Sequence, residues 1–283
     1  MSRTKQLVLL TLLATGATTV ACQQDNKGIE RKLDLILDKL SKMPAGGAQR
    51  PQRVEPDRAK TYAMPIDGDL FDGPADAPVT LVKAYDYQCP YCEQVRDSME
   101  ELKAKYPADL RIVYKQLVVH PANAMAGALA FCAAGKQGKH REMDRLLWDK
   151  GFKGKPKQVD MSDVAAAEGG AEKPQKCWDT PAGCANVISF AQEIQLDVEQ
   201  FKADMKSCVP IVQKDMKELQ QFAVGSTPSF FVNGRFLAGK MPTEAFAALI
   251  DEELKKAKAS STPAGQYYQT EVLGKGLKSV PQS

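Results

Sequence analysis

Histidine is scarce in this chain: 283 residues contain two, His120 and His140. Imidazole is the commonest metal ligand, so the supply is thin for a metal enzyme, and neither a metal site nor a cofactor is expected. An excess of charge of one sign is also missing. The formal net charge is +3, with Lys and Arg scattered among Asp and Glu, which gives no argument for a nucleic-acid partner. The apolar stretch at residues 7–13 falls well short of the ~20 residues that a membrane-spanning helix needs. No internal repeat is visible. Cysteine is not scarce. There are seven, an odd number that asks for one of them to be engaged elsewhere in an exported protein.

The N-terminus reads as an address. Arg3 and Lys5 precede the apolar stretch, small residues follow, and no acidic residue occurs before Cys22. This is the pattern of a secretory signal peptide over residues 1–21. Its removal leaves 36 basic against 35 acidic residues, because only Arg3 and Lys5 are lost. The run Thr19-Val20-Ala21-Cys22 resembles a bacterial lipobox. That resemblance implies that Cys22 is lipidated as the first mature residue and, with Gln23 next, that the anchor is in the outer membrane facing the periplasm. Ordinary cleavage near Ala21 with Cys22 left free is the alternative. Setting Cys22 aside leaves Cys89, Cys92, Cys132, Cys177, Cys184 and Cys208, an even set that suits an oxidising compartment.

Between the signal and the main domain, Ile29, Leu33, Ile36, Leu40 and Met43 recur at spacings of four, three, four and three. This is a coiled-coil seam with Leu at a and Ile at d, a choice that favours trimers or tetramers. A homo-oligomer through this helix is expected; an amphipathic helix lying on the domain or on the membrane is the alternative. Pro44 ends the helix, and a linker continues to about Arg58.

The most informative run is Tyr85-Asp86-Tyr87-Gln88-Cys89-Pro90-Tyr91-Cys92. A CxxC pair does redox chemistry or holds half a metal site. Here an apolar, strand-like run at residues 79–85 leads in and a helix-like run at 93–106 leads out. Cys89 therefore falls at a helix N-terminus, where backbone N–H groups and the helix dipole stabilise a thiolate, the form that attacks disulfides. A strand at 110–117 completes a βαβ unit and a parallel pair. A first strand is expected at 62–66. Helices are expected at 122–134, 140–148, weakly at 161–168, at 186–195, and at 198–222 with a break near Pro210. Strands at 229–232 and 235–238 flank the hairpin turn Asn233-Gly234. A helix at 244–257 closes the domain, and 259–283 reads as a mostly extended tail. Cys177 and Cys184 flank the turn CWDTPAGC and are placed to staple it.

Two motifs carry a family resemblance: Asp86-Tyr87-Gln88-Cys89-Pro90-Tyr91-Cys92, and Gly225-Ser226-Thr227-Pro228-Ser229-Phe230-Phe231-Val232-Asn233-Gly234. Placed in this order around a helical section, they resemble the DsbA-like thioredoxin-fold family of bacterial thiol:disulfide oxidoreductases. The resemblance implies an α/β thioredoxin fold over 59–258 with a helical insert at about 122–222, preceded by the lipidated N-terminal segment 22–58. It implies that Cys89 is the exposed nucleophile and Cys92 the buried resolving thiol, with Pro90 and Tyr91 tuning the site. Thr227-Pro228 becomes a cis-proline loop that offers its backbone to an extended substrate. Cys132 and Cys208 are implied to pair. Cysteine-containing exported proteins and a membrane redox partner are the implied partners.

One position departs from the family. Where these folds often carry a buried acid, six residues before the first active cysteine, this chain has Lys83. Lys83 either stabilises a thiolate at Cys92 or snorkels to solvent with no role. His120 reads as a loop residue and His140 as a polar helix start. The resulting expectation is an enzyme that forms or isomerises disulfides. The alternatives are a periplasmic thiol reductase and a copper- or zinc-binding protein using Cys89 and Cys92.

Overall fold

The computed structural model of the protein describes residues 55–152 and 175–280. The signal peptide, Cys22, the seam at 29–43, the linker up to residue 54 and the weak helix at 161–168 lie outside the described residues.

A five-stranded sheet forms the centre, in the order β1-β3-β2-β4-β5. β2, Val79–Tyr85, is buried at every position, as a near-continuous apolar run requires of a central strand. It pairs in parallel with β3, Leu110–Gln116, with Val82 opposite Val113. On its other side it runs antiparallel to β4, Ser229–Val232, with Lys83 opposite Phe230. β5, Arg235–Ala238, closes a hairpin with β4. Asn233 and Gly234, with φ of 42° and 81°, supply the two positive values that a type I′ turn demands. The Asn233 amide also ties the turn to β2: its Oδ1 accepts from Thr80 N at 2.9 Å and its Nδ2 donates to Pro78 O at 3.1 Å.

The edge strand differs from expectation. Tyr62 makes only isolated bridges, and the strand is β1, Phe71–Asp72, antiparallel to β3. Pro65 and the Asp67-Gly68 turn interrupt extended pairing after Tyr62. The helix after Cys89 also differs. It begins at Pro90, and Val95, with φ −93° and ψ 2°, separates α1, Pro90–Gln94, from α2, Arg96–Lys105.

One face of the sheet packs on α2 and on α7, Thr243–Ala259, through Leu81, Leu102, Ile112, Phe230, Phe246 and Ile250. The opposite face is covered from two directions. One is the end of α6, Val198–Gln221, with Leu219 in its last turn and Phe222 just beyond it; the other is the C-terminal segment. That segment is not extended: α8, Ala264–Tyr267, runs into a helical turn at Tyr268–Leu273, and Tyr267, Tyr268 and Val272 are buried. Tyr268 OH donates to Met64 O at 2.8 Å, and Ala63 N to Leu277 O at 2.8 Å. The tail is thus part of the core.

The insert between β3 and β4 contains α3, Met125–Lys136; α4, His140–Asp149; α5, Ala185–Glu193; and α6. α6 passes through Pro210 unbroken. Residues 206 and 210 are both exposed, so the bond that Pro210 cannot donate is missing on the solvent-facing side of the helix. Disulfides join Cys132 to Cys208 and Cys177 to Cys184. The first spans 76 residues of sequence, a closure that the chain-entropy relation values at about 4 to 5 kcal/mol; the second spans 7, about 2 kcal/mol on the same relation. His140 opens α4 and faces Asp72, with Nε2 to Oδ1 at 3.2 Å. Asp72 also accepts from Lys103, Tyr114 and Arg141, so one buried carboxylate ties β1, α2, β3 and α4 together.

Candidate active site

Cys89 is the N-cap of α1, with extended φ and ψ of −88° and 118°, and Pro90 begins the helix. Proline suits this first position because its missing N–H is not needed there. Cys92 sits one turn in, its N–H donating to Cys89 O at 3.1 Å. Both thiols are free, and both residues are buried. This corrects the expectation of an exposed Cys89: 4 % of the residue is accessible, whereas neighbouring Tyr91 is 59 % exposed. The first cysteine is recessed beside the loop that carries Thr227. Its Sγ donates to Thr227 O at 3.3 Å, and the Thr227–Pro228 peptide is cis.

The two thiols are electrostatically unlike. Cys89 is lowered to about 6, first by its hydrogen bond with the Cys92 thiol, then by the Thr227 side chain and by the backbone N–H groups of Cys92 and Tyr91, against the opposing effect of burial. Cys92 is pushed far up, first by burial and then by Cys89. One sulfur therefore reacts as a thiolate near neutral pH while the other holds its proton.

Asp86 fixes the loop that leads into the pair. The carboxylate is buried. Its Oδ1 accepts from Gln88 N at 2.6 Å, and its Oδ2 from Val119 N at 2.7 Å and His120 N at 2.9 Å. His120 lies at the site's edge, its half-exposed ring placing Nδ1 3.2 Å from the same oxygen. Lys83 does not snorkel. It is 3 % exposed, and its Nζ lies 4.6 Å from the centre of the Tyr85 ring. Burial in the middle of β2 excludes the solvent-directed reading. Lys83 instead interacts electrostatically with Cys92 and Asp144. Nothing in the sequence pattern singles out Asp86 as a clamp, although it lies inside the motif. Asp144 is equally hidden; its one signal is an acid placed four residues before Trp148 on an amphipathic helix.

Among the described residues no cluster of three or more His, Cys, Asp or Glu is placed to hold a metal ion. Among the same residues no helix is long and apolar enough to cross a membrane.

The family described as thioredoxin matches residues 67–252. Among curated proteins, the chain is 28 % identical over 221 residues to a Na(+)/H(+) antiporter NhaA of Herminiimonas arsenicoxydans, covering 77 % of this chain and 31 % of the antiporter. It is 32 % identical over 195 residues to NhaA 1 of Salinispora arenicola, covering 66 % of this chain and 25 % of that protein. The chain thus spans under a third of these relatives' length. Among solved structures, BdbD from Bacillus subtilis aligns with a TM-score of 0.54 at 19 % identity, covering 71 % of this chain and 100 % of its own. A thioredoxin-like oxidoreductase from Silicibacter pomeroyi gives 0.50 at 23 %, covering 69 % and 95 %. Wolbachia pipientis α-DsbA1 gives 0.51 at 15 %, covering 69 % and 94 %. These likenesses agree with a sheet interrupted between β3 and β4 by the four helices α3 to α6 among the described residues. With the match covering both cysteines and the cis-proline loop, the chain belongs to the thioredoxin family, and its fold carries an inserted helical domain.

Proposed function

We propose that the protein is a thiol:disulfide oxidoreductase that forms or isomerises disulfide bonds in exported proteins through Cys89-Pro90-Tyr91-Cys92. The observation that carries this reading is the asymmetry of the pair, with a thiolate-prone Cys89 at a helix start and a sealed, protonated Cys92 behind it. In the reduced protein, the Cys89 thiolate attacks a substrate disulfide. A Cys89–substrate S–S bond forms, the substrate bond breaks, and the leaving sulfur takes a proton. Cys92 then loses its proton and attacks Cys89 Sγ, which releases the second substrate thiol and leaves the pair oxidised by two electrons. The reverse sequence oxidises a substrate dithiol. The Thr227 backbone beside Cys89 and the exposed Tyr91 ring are the docking elements for an extended peptide.

The test is the reduction potential of the Cys89–Cys92 pair together with refolding of reduced and of scrambled ribonuclease. Recovery of scrambled enzyme identifies an isomerase, and recovery of reduced enzyme an oxidase. A pair that reaches no equilibrium with glutathione, with neither substrate refolded faster than background, overturns the reading.

The proposed setting is the periplasm, with Cys22 as a lipid anchor, exported proteins in transit as substrates, and a membrane protein renewing the redox state of the pair. The coiled-coil seam read from the sequence pattern at residues 29–43 is proposed to bring several active sites together, which favours isomerisation. Light scattering of the full mature chain and of a variant lacking residues 23–58 tests this last point. The expected result is a drop from a trimer- or tetramer-sized mass to that of one chain; an unchanged mass removes the idea.

A further inference from the structure

The turn that carries Cys89 is gripped twice by the insert. It runs from Asp86 to Cys89, between β2 and α1, and closes on itself. Asp86 O accepts from Cys89 N at 3.1 Å, and Asp86 Oδ1 from Gln88 N at 2.6 Å. These two bonds are local, of the kind that aspartate makes in an Asx turn. The other carboxylate oxygen reaches across the chain. Oδ2 accepts from Val119 N at 2.7 Å and from His120 N at 2.9 Å, and the His120 ring places Nδ1 3.2 Å away. Residues 119 and 120 open the insert: His120 O accepts from Ala124 N at 3.1 Å, and Ala124 is the N-cap of α3. The carboxylate is buried, and this set of N–H groups offsets the cost of burying its charge.

The second grip comes from Gln88. The residue is buried, and its Nε2 donates to Gly151 O at 3.1 Å, just past the end of α4. Oε1 of the same amide is buried without a hydrogen-bond partner among the described residues. An unpaired buried acceptor is costly, so the bond to Gly151 is what this amide offers over an apolar side chain of the same size. Both grips act on the entry to α1. Cys89 is the N-cap, with extended φ and ψ, and the N–H groups of Tyr91 and Cys92 stabilise its thiolate. Such bonds weaken steeply as they bend, so the angle at which the chain enters the helix decides how well they form.

We propose that the insert sets the reactivity of the nucleophile, with Asp86 and Gln88 as positioning residues: Asp86 Oδ2 and Gln88 Nε2 hold the turn at the angle that aims Cys89 Sγ at the first N–H groups of α1. This rests on the oxidoreductase reading for the role of Cys89. His120 closes the Asp86 grip where it meets solvent. With the grips cut, the turn keeps its local bonds, but the sulfur swings out of line with the helix N–H groups and less of it is thiolate at neutral pH.

The test is alkylation of the reduced full chain by iodoacetamide at pH 6 and pH 9, the folded and ordinary values for Cys89, alongside a pH titration of thiolate absorbance. Cys92 is 0 % accessible, so the reagent reports on Cys89. Asp86→Asn keeps an oxygen for Gln88 N, and with it the local turn. It sets an amide NH2 against the N–H groups of Val119 and His120, donor against donor. Alkylation at pH 6 is expected to slow about fivefold, and at pH 9, where both proteins are thiolate, to stay within about twofold. The absorbance midpoint rises to match. Wild-type rates at both pH values assign the turn to its local bonds and overturn the proposal. Equal slowing at both also overturns it, because access to the sulfur then changed and its ionisation did not. Should Asp86→Asn not fold, Gln88→Met decides: it removes only the bond to Gly151 at nearly constant volume. Slowing of about twofold at pH 6 alone is expected, and wild-type rates overturn the proposal. Failure of the oxidoreductase reading shows separately, as a wild-type pair that reaches no equilibrium with glutathione whatever these rates are.

Discussion

Replacing Cys89 by serine abolishes disulfide exchange, whereas replacing Cys92 by serine leaves the first attack intact and stops the reaction at the mixed disulfide. The two outcomes follow from the positions of the sulfurs. Cys89 is the N-cap, lowered to about 6 by hydrogen bonds with Cys92, the Thr227 side chain and the helix N–H groups. Cys92 is 0 % accessible, so it reaches only a partner already bonded to Cys89. Insulin reduction measures the first loss, expected to fall to the uncatalysed rate. Non-reducing gels of the Cys92→Ser variant with a disulfide substrate measure the second, expected as a stable adduct that reductant dissolves. Residual turnover by Cys89→Ser, or rapid adduct release by Cys92→Ser, removes the assignment.

The same shift makes the stability of the reduced protein depend on pH. Folding lowers Cys89 from its ordinary 9.0 to about 6, so between those values the folded chain binds fewer protons than the unfolded one. The contribution is complete above pH 9, amounts to about 1.4 kcal/mol at pH 7, and is lost as the pH falls through 6. The disulfide form has no such term, so at pH 7 the shift favours the reduced state by about 30 mV. Comparing reduced and oxidised protein in urea at pH 5 and pH 8 exposes the sign: the reduced form gains relative to the oxidised one at the higher pH.

Lys115→Met is expected to destabilise the fold by about 3 to 5 kcal/mol, the range for stripping one partner from a buried ion pair. Lys115 is fully buried and meets Asp69 at 2.7 Å, Asp215 at 3.2 Å and Glu218 at 2.6 Å. One cation faces three carboxylates, and burial raises both Asp69 and Asp215 above the ordinary carboxylate range. A raised acid contributes stability that is complete below its ordinary pKa and lost as pH rises through the folded value. Removal of the countercharge exaggerates that trend, so the loss measured by urea unfolding is larger at pH 7 than at pH 5. An equal loss at both values means that Lys115 contributes packing alone. The cluster joins β3 to α6, so this position also measures how firmly the insert is held on the sheet.

The central sheet was legible because its strands are apolar runs with unambiguous ends. Val79–Tyr85 and the Asn233-Gly234 hairpin declare themselves through burial on both faces and through obligatory positive φ. The cysteine pair was equally plain, since a helix start is where a thiolate gains most. The C-terminal helix was not, because Tyr267, Tyr268 and Val272 make no sustained helical stripe and hold their shape only against Met64 and its neighbours. The recess around Cys89 was hidden for a similar reason: it is made by Thr227, which is distant in sequence. Lys83 is ambiguous in sequence because only the central place of its strand buries it, and Asp144 carries no local signal because its partner Tyr87 comes from another part of the chain.

The position of the insert also decides the order in which the molecule is completed. β2 is paired on one side by β3, which follows closely, but on the other by β4, and the bond from Thr80 to Asn233 spans 153 residues. A chain emerging from its N-terminus exposes that flank of β2 until the whole helical domain has appeared. Such non-local closure is slow and leaves an apolar strand edge open to other chains. Nascent copies of this protein therefore depend on whatever shields unfolded chains until β4 has emerged to cover that flank.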